Sequence, residues 1–107
     1  MLILTDESLH NIKLLGENIE IARCRRKLSR KIICERARIT QQTYRRLVNG
    51  DPGVSIGVMM SVIQSMNMEH LMLNLLDPDQ DEHGKALDNI NRNRRFVGDG
   101  NELDTNF

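Results

Sequence analysis

Apolar residues return every three or four positions along most of the chain, and hydroxyl residues interrupt that rhythm where helices can begin. Ile12, Leu15, Ile19, Ala22 and Cys24 form one stripe, closed by Leu28. They predict a first helix from Leu9 or Leu15 to Lys27, with residues 1–8 as a lead-in capped at Thr5 or Asp6. Ser29 and Thr40 can each open a further helix, their hydroxyls accepting from unpaired backbone N–H groups two or three residues on. Ile32, Ile33 and Ala37 face inward on the second helix, Tyr44, Leu47 and Val48 on the third, and Ile39 plugs the turn between them. Asn49-Gly50-Asp51-Pro52-Gly53 is the densest turn signal. Beyond it Ser55 caps a fourth helix carrying Ile56, Met59, Met60, Val62, Ile63 and Met66, which Asn67 stops. Met68, Leu71, Met72, Leu75 and Leu76 describe a fifth. The reading is an all-α fold, a five-helix bundle over residues 9–76.

From Asp77 the composition turns to Asp, Asn, Gly and Arg, so residues 77–107 are expected to be a flexible acidic and polar tail. Its structured candidate is Glu82 to Phe96, where Ala86, Leu87 and Ile90 could form a short helix. Phe96 beside Arg92, Arg94 and Arg95 is an apolar anchor flanked by cations. Such a segment either solubilises the chain or orders on a protein partner. The methionine-rich surface of the last two predicted helices has a similar double reading. It is packing filler, or Met59, Met60, Met66, Leu71 and Met72 line a homodimer interface.

The outer face of the third helix carries Gln41, Gln42, Thr43, Arg45 and Arg46. Amides of this kind pair with adenine N6 and N7, and guanidinium groups with guanine O6 and N7. The plainer alternative is a solvated polar face on an ordinary helical hairpin. Charge bears on the choice. The formal net charge of the 107 residues is zero, yet residues 12–50 hold eleven Lys or Arg against three Glu, a local excess of +8. From Asp51 onward ten acids oppose four bases. Positive potential is thereby focused on one half, as a phosphate-binding surface requires. Arg23, Arg26 and Lys27 lie near the entrance to the second helix, where a backbone phosphate could be held.

The run SRKIICERARITQQTYRRLVNG, from Ser29 to Gly50, resembles the XRE family of helix-turn-helix repressors, and TQQTYRRLVNG is similar to the recognition helix of lambdoid phage repressors. The similarity covers about Leu15 to Leu76. It implies a lambda-repressor-like DNA-binding bundle whose second motif helix lies in the major groove. Gln41, Gln42, Thr43 and Arg46 then become base readers, with Arg45 beside them. Arg30 and Asn49 match phosphate-holding positions, joined by the caps Ser29 and Thr40. The stretch from Gly50 to Leu87 resembles a narrower branch, the small HipB-type antitoxin regulators. Two departures stand out. Arg38 occupies the turn position that is usually Gly, where a left-handed backbone carries a strain of roughly 1–2 kcal/mol. Val48 stands where the family often has a Glu paired to a first-helix arginine, here Arg23, which is expected to turn to phosphate or to Glu20.

Cys24 and Cys34 are expected to face the core as small hydrophobes rather than to pair. His10, His70 and His83 are too scattered for a metal site, and no cofactor is implied. With no exporting or membrane-spanning run, the expected location is cytoplasmic. No nucleophile–base pair or phosphate loop points to an enzyme. The expected function is that of a sequence-specific regulator binding a palindromic operator in double-stranded DNA as a homodimer. The branch resemblance implies an autorepressing antitoxin with a HipA-like kinase toxin as partner. The alternative is a toxin-neutralising interaction module with weak or no DNA binding.

Overall fold

In the computed structural model, which describes residues 2–97 (95–97 by backbone alone), the chain is all-α. Its α-helices are α1 (Asp6–Arg25), α2 (Arg30–Ala37), α3 (Gln41–Val48), α4 (Ile56–Ser65) and α5 (Glu82–Val97), with 3₁₀ helices at Glu69–Asn74 and Pro78–Gln80. Among the described residues there is no strand. Of the described residues, those up to Met72 form one compact unit and those from Leu73 to Val97 belong to a second.

Local chemistry sets both ends of the first four helices. Thr5, Ser29, Thr40 and Ser55 each hold an extended backbone, and each hydroxyl accepts from the amide three residues on: Ser8, Ile32, Thr43 and Val58. A cap of this kind contributes about 1 kcal/mol. At the other end stand Lys27, Arg38, Gly50 and Asn67, all with left-handed backbone (φ 55°, 59°, 82° and 57°). The following amides return to the carbonyl five residues back: Leu28 to Arg23 (3.3 Å), Ile39 to Cys34 (3.1 Å), Asp51 to Arg46 (3.0 Å) and Met68 to Ile63 (3.1 Å). These are Schellman closures. Arg38 thus keeps the geometry of the usual glycine and carries its strain.

The core is built from Ile19 and Ala22 of α1, Ile33 and Cys34 of α2, Tyr44, Leu47 and Val48 of α3, and Val62 with Met66 from α4 and its cap. α2 packs on α4 and on α3, and α1 packs on α3. This last contact is close. A Cβ built on Gly16 would lie 2.6 Å from the Val48 carbonyl oxygen and 2.7 Å from that of Leu47, and one on Gly50 would lie 2.7 Å from Lys13 Cα. Glycine on each side lets α1 lie directly on the C-terminal end of α3.

Several expectations are corrected. α1 begins at Asp6, inside the expected lead-in, because Thr5 caps it and Asp6 and Glu7 suit the positive end of the helix dipole. Cys24 is exposed, since it falls off the stripe that runs through Ile12, Leu15, Ile19 and Ala22. Ile32 and Ile56 are 39% and 76% exposed and contribute little to the core. The expected fifth helix is only the 3₁₀ turn Glu69–Asn74. Asn67 is already spent closing α4, so no hydroxyl cap nucleates the segment, and Pro78 follows too soon for a longer helix. Residues 98–107 of the expected flexible tail lie outside the described residues, and within the tail Glu82–Val97 forms α5, over the segment named as its structured candidate. Asp81 supports its start, Oδ1 accepting from the Gly84 amide at 2.8 Å and the carbonyl from Lys85 at 3.0 Å.

Candidate nucleic-acid interface

α3 turns Tyr44, Leu47 and Val48 into the core, and its other positions face out. Gln41, Gln42, Arg45, Arg46 and the capping residue Asn49 are exposed. With about 100° between successive helical residues, Gln42, Arg45, Arg46 and Asn49 run down one stripe. The two glutamine amides make no hydrogen bond among the described residues. Thr43 is half-buried, its amide held by Thr40 Oγ1 at 3.1 Å and its hydroxyl accepting from the Thr40 hydroxyl at 2.9 Å. Thr40 and Ser29 therefore serve as caps first.

Beneath this face lies a cluster centred on Glu20. Its Oε1 accepts from the Tyr44 hydroxyl at 2.7 Å and from Arg23 Nε at 3.1 Å. Its Oε2 accepts from Arg23 Nη2 at 2.6 Å, and from Arg30 at 2.9 Å through Nη2 and 3.3 Å through Nε. The Arg30 guanidinium also sits 5.5 Å from the centre of the Tyr44 ring, a cation–π distance. One carboxylate thus joins α1, α2 and α3. Hydrogen bonding from Arg23 lowers the Glu20 pKa from 4.5 to about 2, against an opposing push from burial and with further help from Tyr44 and Arg30. Burial, followed by the bond donated to Glu20, raises the Tyr44 phenol above its ordinary value.

The cluster reassigns Arg23. Its side chain is 15% exposed, forks onto Glu20, and donates from Nη1 to the Leu28 carbonyl at 2.6 Å. It takes the Glu20 alternative and is not presented to a phosphate. With Arg23 neutralised inside α1, the apolar Val48 fits the core at 7% exposure. Arg30 stays 42% exposed, its Nη1 without a hydrogen-bond partner among the described residues. Arg26 and Lys27 are exposed, Arg26 bonding the Ala22 carbonyl of its own helix at 3.1 Å.

Arg46 is held by the loop that follows α3. Its Nε donates to Asp51 Oδ2 at 2.7 Å, while Asp51 Oδ1 accepts from the Gly53 amide at 2.7 Å. Arg46 first, and then Gly53, keep the Asp51 carboxyl below its usual range. In the sequence Asp51 is legible only as part of a turn signal, and no local pattern marks Gly16 or the Glu20–Tyr44 bond. Only the three-residue spacing of Glu20 and Arg23 signalled any part of these contacts.

The proposed dimer residues scatter. Met66 is 5% exposed and belongs to the core, and Met59 packs against that core. Met66 is therefore withdrawn from the interface set. Met60 and Met72 are half-buried, and Leu71 is 57% exposed. In α5, Arg92 and Arg94 are exposed, whereas the side chains of Arg95 and Phe96 lie outside the described residues. Cys24 and Cys34 are both free, and burial raises the Cys34 thiol pKa. Among the described residues no helix is long and apolar enough to cross a membrane, and no group of three or more His, Cys, Asp or Glu is placed to hold a metal ion. Compared with protein-family models, with curated proteins and with solved structures, the chain matches none.

Proposed function

We propose that the chain is a sequence-specific DNA-binding transcriptional regulator of the XRE type, acting as a homodimer on a palindromic operator. The observation that carries this reading is the state of α3. Its inner face is locked by Tyr44, Leu47 and Val48 and by the Glu20 cluster, while Gln41 and Gln42 stand free at the end that reaches deepest into a major groove in this type of motif. Phosphates would be met by Arg26, Lys27, Arg30, Arg45 and Asn49, with Arg23 acting as a positioning residue. Leu71, exposed beside a groove lined by Ile19, Ile63 and Met72, supports pairing with a second copy.

Selection from random duplexes tests the reading. A palindrome with half-site centres about one helical turn apart should emerge. Gln41→Ala or Gln42→Ala should weaken binding to it by about 1–3 kcal/mol and relax preference at one or two base pairs. Equal losses on selected and random DNA would refute the assignment.

A second reading, an antitoxin whose tail captures a HipA-like kinase, is favoured by α5, which presents Leu87 and Ile90 at 45% and 49% exposure next to Arg92 and Arg94. Deleting residues 77–107 should then abolish co-purification with such a kinase and leave operator affinity within about tenfold.

A further inference from the structure

The loop after α3 anchors a carboxylate before that carboxylate meets the guanidinium. Gly50 adopts φ 82°, the Asp51 amide returns to the Arg46 carbonyl at 3.0 Å, and Gly53 donates to Asp51 Oδ1 at 2.7 Å. Pro52 fixes its own φ between them. The loop also fits closely. A Cβ on Gly53 would lie 3.3 Å from Arg46 Nη2 and 3.2 Å from Asp51 Oδ1. Asp51 is thus preset, and Arg46 reaches it with Nε at 2.7 Å. Both Nη groups remain without a hydrogen-bond partner among the described residues, and the side chain is 47% exposed.

An exposed ion pair of this kind contributes little stability. Its effect on recognition is larger. Affinity for phosphate comes from releasing counterions, and an arginine already neutralised by a carboxylate releases few. The planar fork is unimpaired, and a fixed rotamer suits it to a bidentate contact with the O6 and N7 atoms of guanine. Arg45, exposed on the same helix without such a tether, is the contrasting case of a mobile cation suited to phosphate. We infer that Asp51 is a specificity-determining residue that orients Arg46 toward one guanine in the major groove and withdraws it from the phosphates. This inference rests on the DNA-binding reading above.

The experiment uses full-length protein and the duplex selected by the wild type, with each guanine in turn replaced by 7-deazaguanine, which lacks the N7 acceptor. One guanine should weaken wild-type binding by about five- to hundredfold when replaced. In Asp51→Asn that penalty should shrink by at least about threefold, while binding to random duplexes tightens and its salt dependence steepens by up to about one phosphate's worth. Arg46→Lys keeps the charge and the partner but not the fork, and should lose the same guanine preference with an unchanged salt slope. Circular dichroism checks that each variant is folded. If Asp51→Asn does not fold, Arg46→Lys on the 7-deazaguanine series decides. An unaltered guanine penalty and salt slope in Asp51→Asn, or an unaltered penalty in Arg46→Lys, would overturn the inference alone. A wild type that selects no sequence would overturn the DNA-binding reading, and the inference with it.

Discussion

Replacing Gly16 with Ala should destabilise the protein even though alanine is the better helix former. In an unencumbered helix the exchange is worth about 1 kcal/mol in alanine's favour. At Gly16 the new methyl would meet the Val48 carbonyl oxygen at 2.6 Å, the Leu47 carbonyl oxygen at 2.7 Å and the Val48 carbonyl carbon at 2.8 Å. A tolerable C···O approach is about 3.3 Å or more, so α1 must withdraw from α3 by roughly 0.7 Å. All three obstacles are backbone atoms, which cannot rotate aside. Overpacking of this sort costs about 1–3 kcal/mol. The upper end applies here, leaving a net loss of about 2 kcal/mol once the gain in propensity is subtracted. For a unit of this size that lowers the unfolding midpoint by roughly 10 °C. Gly57 in α4 is the internal control, because a Cβ there meets only Ser55 Oγ at 3.8 Å. Gly57→Ala should therefore stabilise by about 0.5–1 kcal/mol. Thermal and urea melts followed by circular dichroism read both variants. If Gly16→Ala matched or exceeded the wild type in stability, or Gly57→Ala fell below it, the close α1–α3 packing would be refuted.

Arg38→Gly should relieve the left-handed strain at φ 59° and raise stability by about 1 kcal/mol in the same melts, offset only in part by the greater freedom of unfolded glycine. Glu20 is held at about 2 against an ordinary 4.5, so the unfolded chain binds the extra proton first. The stability it contributes is fully present above pH 4.5 and is lost as pH falls toward 2. Glu20→Gln should flatten that part of the stability–pH curve relative to wild type, and parallel curves would count against the cluster. Tyr44→Phe removes the phenol that donates to Glu20 at 2.7 Å and should cost about 1.5–3 kcal/mol in urea melts, as hydrogen bonds to charged groups do. Leu71→Asp, at a position 57% exposed, should give helical monomers by sedimentation, whereas Met66→Asp, at 5%, should unfold the unit. Unfolding by Leu71→Asp would remove it from any proposed interface.

The sequence by itself determined where α2, α3 and α4 start and which residue caps each of the first four helices, because those signals are local. A hydroxyl at Thr5, Ser29, Thr40 or Ser55 reaches an amide three residues away, and this chemistry depends on no distant partner. The inward face of α3 was legible for the same reason, since Tyr44, Leu47 and Val48 are set by helical period alone. The segment from Met68 to Leu76 shows where period is insufficient: the apolar spacing is helical, but without a free cap or a surface to cover Leu73 and Leu76 it closes only as a 3₁₀ turn. Tertiary structure alone decided which charges are free. Glu20 meets Tyr44 across twenty-four positions and Arg30 across ten, and no local pattern encodes those meetings. They follow from Gly16 admitting α1 to the backbone of α3, and they turn Arg23 inward. The charges of one basic stretch are divided in this way between those that hold α3 and those that remain available to a ligand.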